Sequence, residues 1–241
     1  MLASLLLSAN QFVSFDRLAG GLWQSPPPSA HSNLRTYATR LRDALGASLS
    51  ASRLSSRRGG GYRITVHHGE LDADRFADLA AQGRVALGVG EFAAAVSALR
   101  AALSLWRGQA GDDMPDGGPL QLRLAALNEE RVAVVEDLIE ARLALGEQGS
   151  LVSELRALVA EHPLRERPWG QLIRTLYLTG DPSAALVAFD RIRTMFGQEL
   201  GIEPSLELQR LQLAILRRED DAFRRTASRT GARLRPLAHA G

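Results

Sequence analysis

Ala30-His31-Ser32-Asn33-Leu34-Arg35-Thr36-Tyr37-Ala38-Thr39-Arg40-Leu41-Arg42-Asp43-Ala44-Leu45, closed by Gly46, is followed by Leu54-Ser55-Ser56-Arg57-Arg58-Gly59-Gly60-Gly61-Tyr62-Arg63-Ile64-Thr65-Val66. At the helical period, Leu34, Tyr37, Ala38, Leu41, Ala44 and Leu45 fall in one apolar stripe. Ser32, Thr36, Thr39 and Asp43 lie opposite, with Arg35 and Arg42 on one edge and Asn33 and Arg40 on the other. The second stretch reads as a glycine-hinged basic hairpin. Upstream, Leu2 to Leu7 is apolar, and Val13-Ser14-Phe15-Asp16-Arg17-Leu18 begins a helix with Ser14 as its expected N-cap. That helix ends near Gly20-Gly21-Leu22-Trp23. Pro26-Pro27-Pro28 makes a stiff turn, and Ser29 is a candidate cap for the helix that follows. Three helices joined by short turns and closed by a hairpin is the order of a winged helix-turn-helix.

An apolar back with arginines and short hydroxyls on the front suits a helix seated in a DNA major groove. Arginine can bond guanine O6 and N7 as a bidentate fork, asparagine can do the same for adenine, and threonine adapts to base edge or phosphate. Arg35, Thr36, Thr39, Arg40 and Arg42, with Asn33 at the edge, are the candidate groove contacts. Arg57, Arg58 and Arg63 bracket a flexible glycine tip where backbone can approach a phosphate or enter a minor groove. Tyr62 is expected to pack at the base of the hairpin. The competing reading is an amphipathic helix and a surface hairpin whose arginines are simply solvated.

The 241 residues suffice for one large or two small domains. Every one of the 29 basic residues is arginine and there is no cysteine, which rules out disulfides and thiolate metal sites. Residues 1–68 carry eight Arg against Asp16 and Asp43; residues 69–221 carry 16 Arg against 25 acids; the last 20 residues carry five Arg and no acid. A basic head on an acidic body suggests a polyanion-binding module joined to one with another task. No apolar run reaches membrane-spanning length, and the opening Met1-Leu2-Ala3-Ser4-Leu5-Leu6-Leu7 lacks the charged start of a signal peptide. The expected location is the cytoplasm.

From Asp72 onward the pattern is helical throughout, with segments expected at 73–88, 91–106, 119–146, 150–161, 165–179, 182–197 and 204–219. Gly146 and Gly180 follow helix ends 34 residues apart, the tetratricopeptide period. Gly90-Glu91-Phe92-Ala93-Ala94-Ala95 and Gly180-Asp181-Pro182-Ser183-Ala184-Ala185 match in type, their small residues allowing two helices to approach closely. Stacked helix pairs present a concave surface suited to protein partners. The acids on these helices read as solvated surface charge. The stretch 222–241 is expected to be disordered and to add nonspecific attraction to DNA.

Enzyme chemistry finds no foothold. Gly88-Val89-Gly90-Glu91-Phe92-Ala93 follows a helix, where a dinucleotide fingerprint needs a strand. His67 and His68 point to opposite faces if extended, and no serine has the surroundings of a nucleophile elbow. No catalytic, cofactor or metal residue is expected.

The chain resembles the Streptomyces antibiotic regulatory proteins over about residues 2–219. In the head this rests on Val13 to Leu18 leading to Leu22-Trp23, Pro27-Pro28-Ser29-Ala30, Leu34-Arg35-Thr36-Tyr37, Arg40 to Gly46 and Gly61-Tyr62-Arg63-Ile64. In the body it rests on Leu71 to Phe76, Ala102 to Gly108, His162 to Arg167, and Leu200-Gly201-Ile202-Glu203-Pro204. The resemblance implies a mainly α protein: an OmpR-type winged helix over 1–68, an all-α, tetratricopeptide-like bacterial transcriptional activation domain over 69–221, and a basic tail. It implies an activator of antibiotic biosynthesis genes that binds direct repeats in double-stranded DNA and contacts RNA polymerase, with self-association through the helical domain and a homodimer on DNA. Members usually begin with a small N-terminal sheet, whereas this sequence opens inside the first helix. A truncated head of that kind would expose apolar surface on the first helix. The alternative is then a tetratricopeptide-like interaction regulator with a vestigial DNA-binding head.

Overall fold

The structure is a computed structural model and describes residues 1–46, 53–58, 60–112, 119–220 and 223. Its elements run α1 (Leu2–Leu6), β1 (Val13–Ser14), α2 (Phe15–Leu22), α3 (Ala30–Gly46), β2 (Leu54–Ser56) and β3 (Gly61–Ile64). Among the described residues seven helices follow: α4 (Asp72–Gly88), α5 (Phe92–Leu103), α6 (Pro119–Ala144), α7 (Gln148–Glu161), α8 (Glu166–Leu178), α9 (Pro182–Glu199) and α10 (Leu206–Arg217). By internal packing the chain divides into two compact units, residues 1–78 with 104–132, and residues 79–103 with 133 onward. The expected basic tail lies outside the described residues apart from Phe223.

In the first unit, Leu5, Val13, Leu18, Leu34, Ala38, Leu54, Tyr62 and Ile64 close one apolar core. Ser14 caps α2 as expected, its hydroxyl accepting from the Arg17 amide at 3.2 Å. The same residue does a second task that its sequence did not announce. Val13 and Ser14 pair antiparallel with Tyr62 and Gly61, making a three-stranded sheet in the order β1-β3-β2. The approach is so close that a Cβ on Gly61 would stand 2.7 Å from the Val13 carbonyl oxygen. Glycine at 61 is therefore a steric requirement of the third strand. Along α3 the apolar stripe is buried at Leu34 and Ala38 and half-buried at Tyr37, Leu41 and Leu45, while Ala44, at its margin, is exposed. On α1, Leu5 is fully buried and Leu2 exposed. Beyond the hairpin, Arg53 grips Glu70 in a bidentate pair of 2.7 and 2.8 Å, and Glu70 also accepts from the His67 amide.

Residues 104–132 complete this unit. Arg123 of α6 donates to the Ser8 hydroxyl at 2.8 Å and to the Leu7 carbonyl, covering the carbonyl end of α1. Phe76 packs edge-on against Trp106, and Arg131 lies over the same indole.

The second unit shows the repeat that its glycines promised. Gly90, Gly146 and Gly180 all have φ between 82 and 86°. In each case the following amide bonds back to the carbonyl five residues earlier: Glu91 to Ala86, Glu147 to Arg142 and Asp181 to Leu176. This is the left-handed glycine stop of a helix. The residue five beyond each glycine (Ala95, Leu151 and Ala185) is fully buried, so each turn launches its next helix on the same face.

One expectation is corrected here. Glu136, Asp137 and Glu140 are buried, not solvated. Arg84 meets Asp137 at 2.8 Å, Arg165 meets Glu136 at 2.8 Å, Arg167 meets Asp137 at 2.7 Å, and Arg174 meets Glu140 at 2.9 Å. Their i, i+1, i+4 spacing puts three carboxylates on one side of α6, and the arginines arrive from α4, from α8 and from Arg165 just before it. A buried charge has to be paired in this way.

Candidate nucleic-acid interface

The exposed front of α3 and the hairpin that follows it enclose an open cleft of about 690 Å³. From α3 it is lined by His31, Arg35, Thr39 and Arg42; from the hairpin by Ser56, Arg57, Gly60 and Tyr62; and from the start of α2 by Ser14, Phe15 and Asp16. Four of the nine expected DNA-contacting residues, Arg35, Thr39, Arg42 and Arg57, thus share one cavity.

Aromatic rings set the shape of this cleft. Phe15 lies 5.3 Å from Tyr62 and 5.4 Å from His31, centre to centre, and the Arg35 guanidinium sits 6.0 Å from the Phe15 ring. Tyr62 is buried, as expected of a residue at the hairpin base. Arg42 reaches across from helix to sheet: its Nε donates to the Leu54 carbonyl at 3.3 Å and its guanidinium stands 5.6 Å from the Tyr62 ring. It therefore braces the cleft wall as well as charging it.

The remaining expected residues lie elsewhere. Thr36 and Arg40 are on the exposed face of α3, and Arg58 is exposed on the hairpin. Among the described residues neither Arg40 nor Arg58 has an ion pair. The Thr36 and Thr39 hydroxyls donate to the carbonyls of Ser32 and Arg35, both at 3.2 Å. Asn33 is half-buried and donates to the Ser29 hydroxyl at 3.3 Å. Arg63 projects from the sheet face opposite Tyr62 and lies 4.9 Å from the Phe12 ring.

Sequence reasoning passed over Phe12, Phe15, Asp16 and His31. Asp16 is the one carboxylate among the described residues lining the cleft, and it meets the His31 Nε2 at 3.2 Å. Nothing in the spacing marks this pair, whose partners stand 15 residues apart on different helices. Among the described residues no cluster of acids and histidines is arranged to hold a metal ion, and no helix is long and apolar enough to cross a membrane.

A helix in a major groove and a hairpin in the adjacent minor groove must straddle one phosphate strand. A basic cleft between the two is what that geometry demands.

The chain's relatives are regulators of transcription. Residues 1–64 match the family described as "Transcriptional regulatory protein, C terminal", and residues 71–216 match the "Bacterial transcriptional activator domain". The regulatory protein DnrI of Streptomyces peucetius is 38% identical over 220 residues, covering 88% of this chain and 81% of DnrI. AfsR of Streptomyces coelicolor is 36% identical over 98% of this chain, which spans 24% of AfsR. EmbR of Mycobacterium tuberculosis is 35% identical over 96% of this chain, which spans 60% of EmbR. A solved structure of Mycobacterium tuberculosis EmbR in complex with a low-affinity phosphopeptide superimposes with a TM-score of 0.89 at 34% identity, covering 96% of this chain and 62% of that one.

Proposed function

This chain belongs to the Streptomyces antibiotic regulatory protein family of transcriptional regulators, which are not enzymes, and from that premise we propose that it is a sequence-specific activator of secondary-metabolite genes in the bacterial cytoplasm. Residues 1–68 act as the DNA-binding head and residues 69–221 as the domain that meets other proteins. Arg35, Thr36, Thr39 and Arg40 enter the major groove, with Asn33 at the near edge. Arg42 and Arg57 face the phosphate strand in the cleft, while Arg58 and Arg63 hold backbone or minor groove on the hairpin. The observation that carries this reading is the cleft itself, basic on both walls and open to solvent.

Two copies would sit on direct repeats and contact RNA polymerase through the helical body. Leu206, Leu213 and Leu216 leave an apolar stripe exposed on α10, which supports a protein contact there.

The test is to incubate the purified chain with fragmented DNA from a GC-rich actinomycete at two salt concentrations and to sequence what is retained. Direct repeats about one helical turn apart are the expected enrichment. Retention without sequence preference, lost at higher salt, would reduce the site to phosphate attraction. No retention at either salt would favour an interaction regulator that does not touch DNA.

A further inference from the structure

Phe12 lies just before β1 with 40% of its surface exposed. Two guanidiniums meet its ring, Arg63 at 4.9 Å and Arg57 at 5.9 Å from the centroid. Side chains alternate along a strand: Tyr62 and Ile64 are buried in the core, so Arg63 between them projects from the other face of the sheet, where Phe12 stands. Among the described residues neither arginine has a carboxylate partner, and the Arg63 Nε has no acceptor. Like charges gathered on one ring repel each other unless an anion joins them. The ring meanwhile restrains two long side chains that would otherwise lose their rotamer freedom on binding. Such preorganisation is worth having only if something binds there.

We infer that Phe12 is a positioning residue that makes Arg57 and Arg63 a single clamp for a backbone phosphate of duplex DNA. The clamp rests on the DNA-binding reading above and adds a second phosphate site, on the outer face of the hairpin. Arg57 also lines the cleft, so it joins the two sites. Because the contact is to phosphate, it acts on any sequence.

The test uses the full chain and a labelled random-sequence duplex of about 20 base pairs, with binding followed from roughly 50 to 200 mM salt. Phe12→Leu keeps apolar bulk but loses the ring; Phe12→Trp keeps the ring. Phe12→Leu and Phe12→Ala should weaken binding by roughly three- to tenfold and flatten the salt slope by about one. Phe12→Trp should bind like the wild type. Phe12→Ala combined with Arg63→Ala should be no weaker than Arg63→Ala alone, the non-additivity of residues acting as a unit. If Phe12→Leu binds with wild-type affinity and slope, or if leucine and tryptophan weaken binding equally, the clamp is wrong while DNA binding stands. Additive losses in the double variant would sink it as well. Should Phe12→Ala fail to fold by circular dichroism, the leucine–tryptophan comparison decides alone. A wild-type chain that ignores the duplex at every salt concentration would overturn the DNA-binding reading and the clamp with it.

Discussion

The guanidinium of Arg42 stands 5.6 Å from the centre of the Tyr62 ring, so α3 and the hairpin are joined by a cation against an aromatic face. With its bond to the Leu54 carbonyl, Arg42 is part of the scaffold, whereas Arg40, two residues away, is exposed and, among the described residues, without an ion pair. The two arginines should respond differently to replacement. Arg42→Ala should lower the melting temperature, at a cost of about 1–2 kcal/mol, and weaken DNA binding at once. Arg40→Ala should leave the melting temperature unchanged. If Arg40 reads a base it should cost roughly 1–3 kcal/mol at one position of the site. Differential scanning calorimetry beside binding titrations separates the cases; an Arg42→Ala variant as stable as the wild type would contradict the bracing role.

Asp16 puts a negative charge in the cleft proposed above to take a phosphate strand. Replacing it by asparagine keeps the shape and removes the repulsion, so Asp16→Asn should tighten DNA binding a few-fold at low salt. The gain should shrink as salt rises, because the group is almost fully exposed and screened. Titrations at two salt concentrations check this, and weaker binding by Asp16→Asn would show that the carboxylate, through His31, helps to hold DNA.

Glu70 is held at about 2, well below the usual carboxylate range, by its bidentate bond from Arg53 and by the His67 amide. A carboxyl depressed in the folded state contributes stability that is complete above its unfolded value and is lost as pH falls through the folded one. The stability difference between wild type and Glu70→Gln should therefore be constant at neutral pH and shrink from about pH 4.5 towards pH 2. Urea titrations across that range measure it, and a difference unchanged at pH 2 would place the origin elsewhere.

In the helical unit, Glu140 and Arg174 are both buried and bonded to each other at 2.9 Å. Removing one partner strands the other, so Glu140→Ala should cost about 3–5 kcal/mol. Replacing both with apolar residues of similar volume, Glu140→Leu with Arg174→Met, should recover most of that loss. Denaturant midpoints of the two variants decide; equal losses would mean that the pair is worth more than the cost of burying it.

The helices of the second unit were legible because they carry long apolar periods and local stops, as Gly146 and Gly180 show. The hairpin was legible from its glycines, and Tyr62 from its place at the base. What escaped has in common a partner distant in sequence. A two-residue strand such as Val13–Ser14 has no period to read, and here the same serine also signals a helix cap. Glu136, Asp137 and Glu140 look like solvated charge until arginines some 29 to 53 residues away arrive. Asp16 and Phe12 become part of the candidate interface only once α3 and β3 are packed beside them.

Arg123 covers the end of a helix made more than 110 residues earlier. On the ribosome, α1 therefore waits for more than 110 further residues before its carbonyl end is secured. Until then the head can gather its core but not finish it. A nascent chain paused before Arg123 has cleared the exit tunnel should carry a looser, more protease-sensitive α1 than one paused after it.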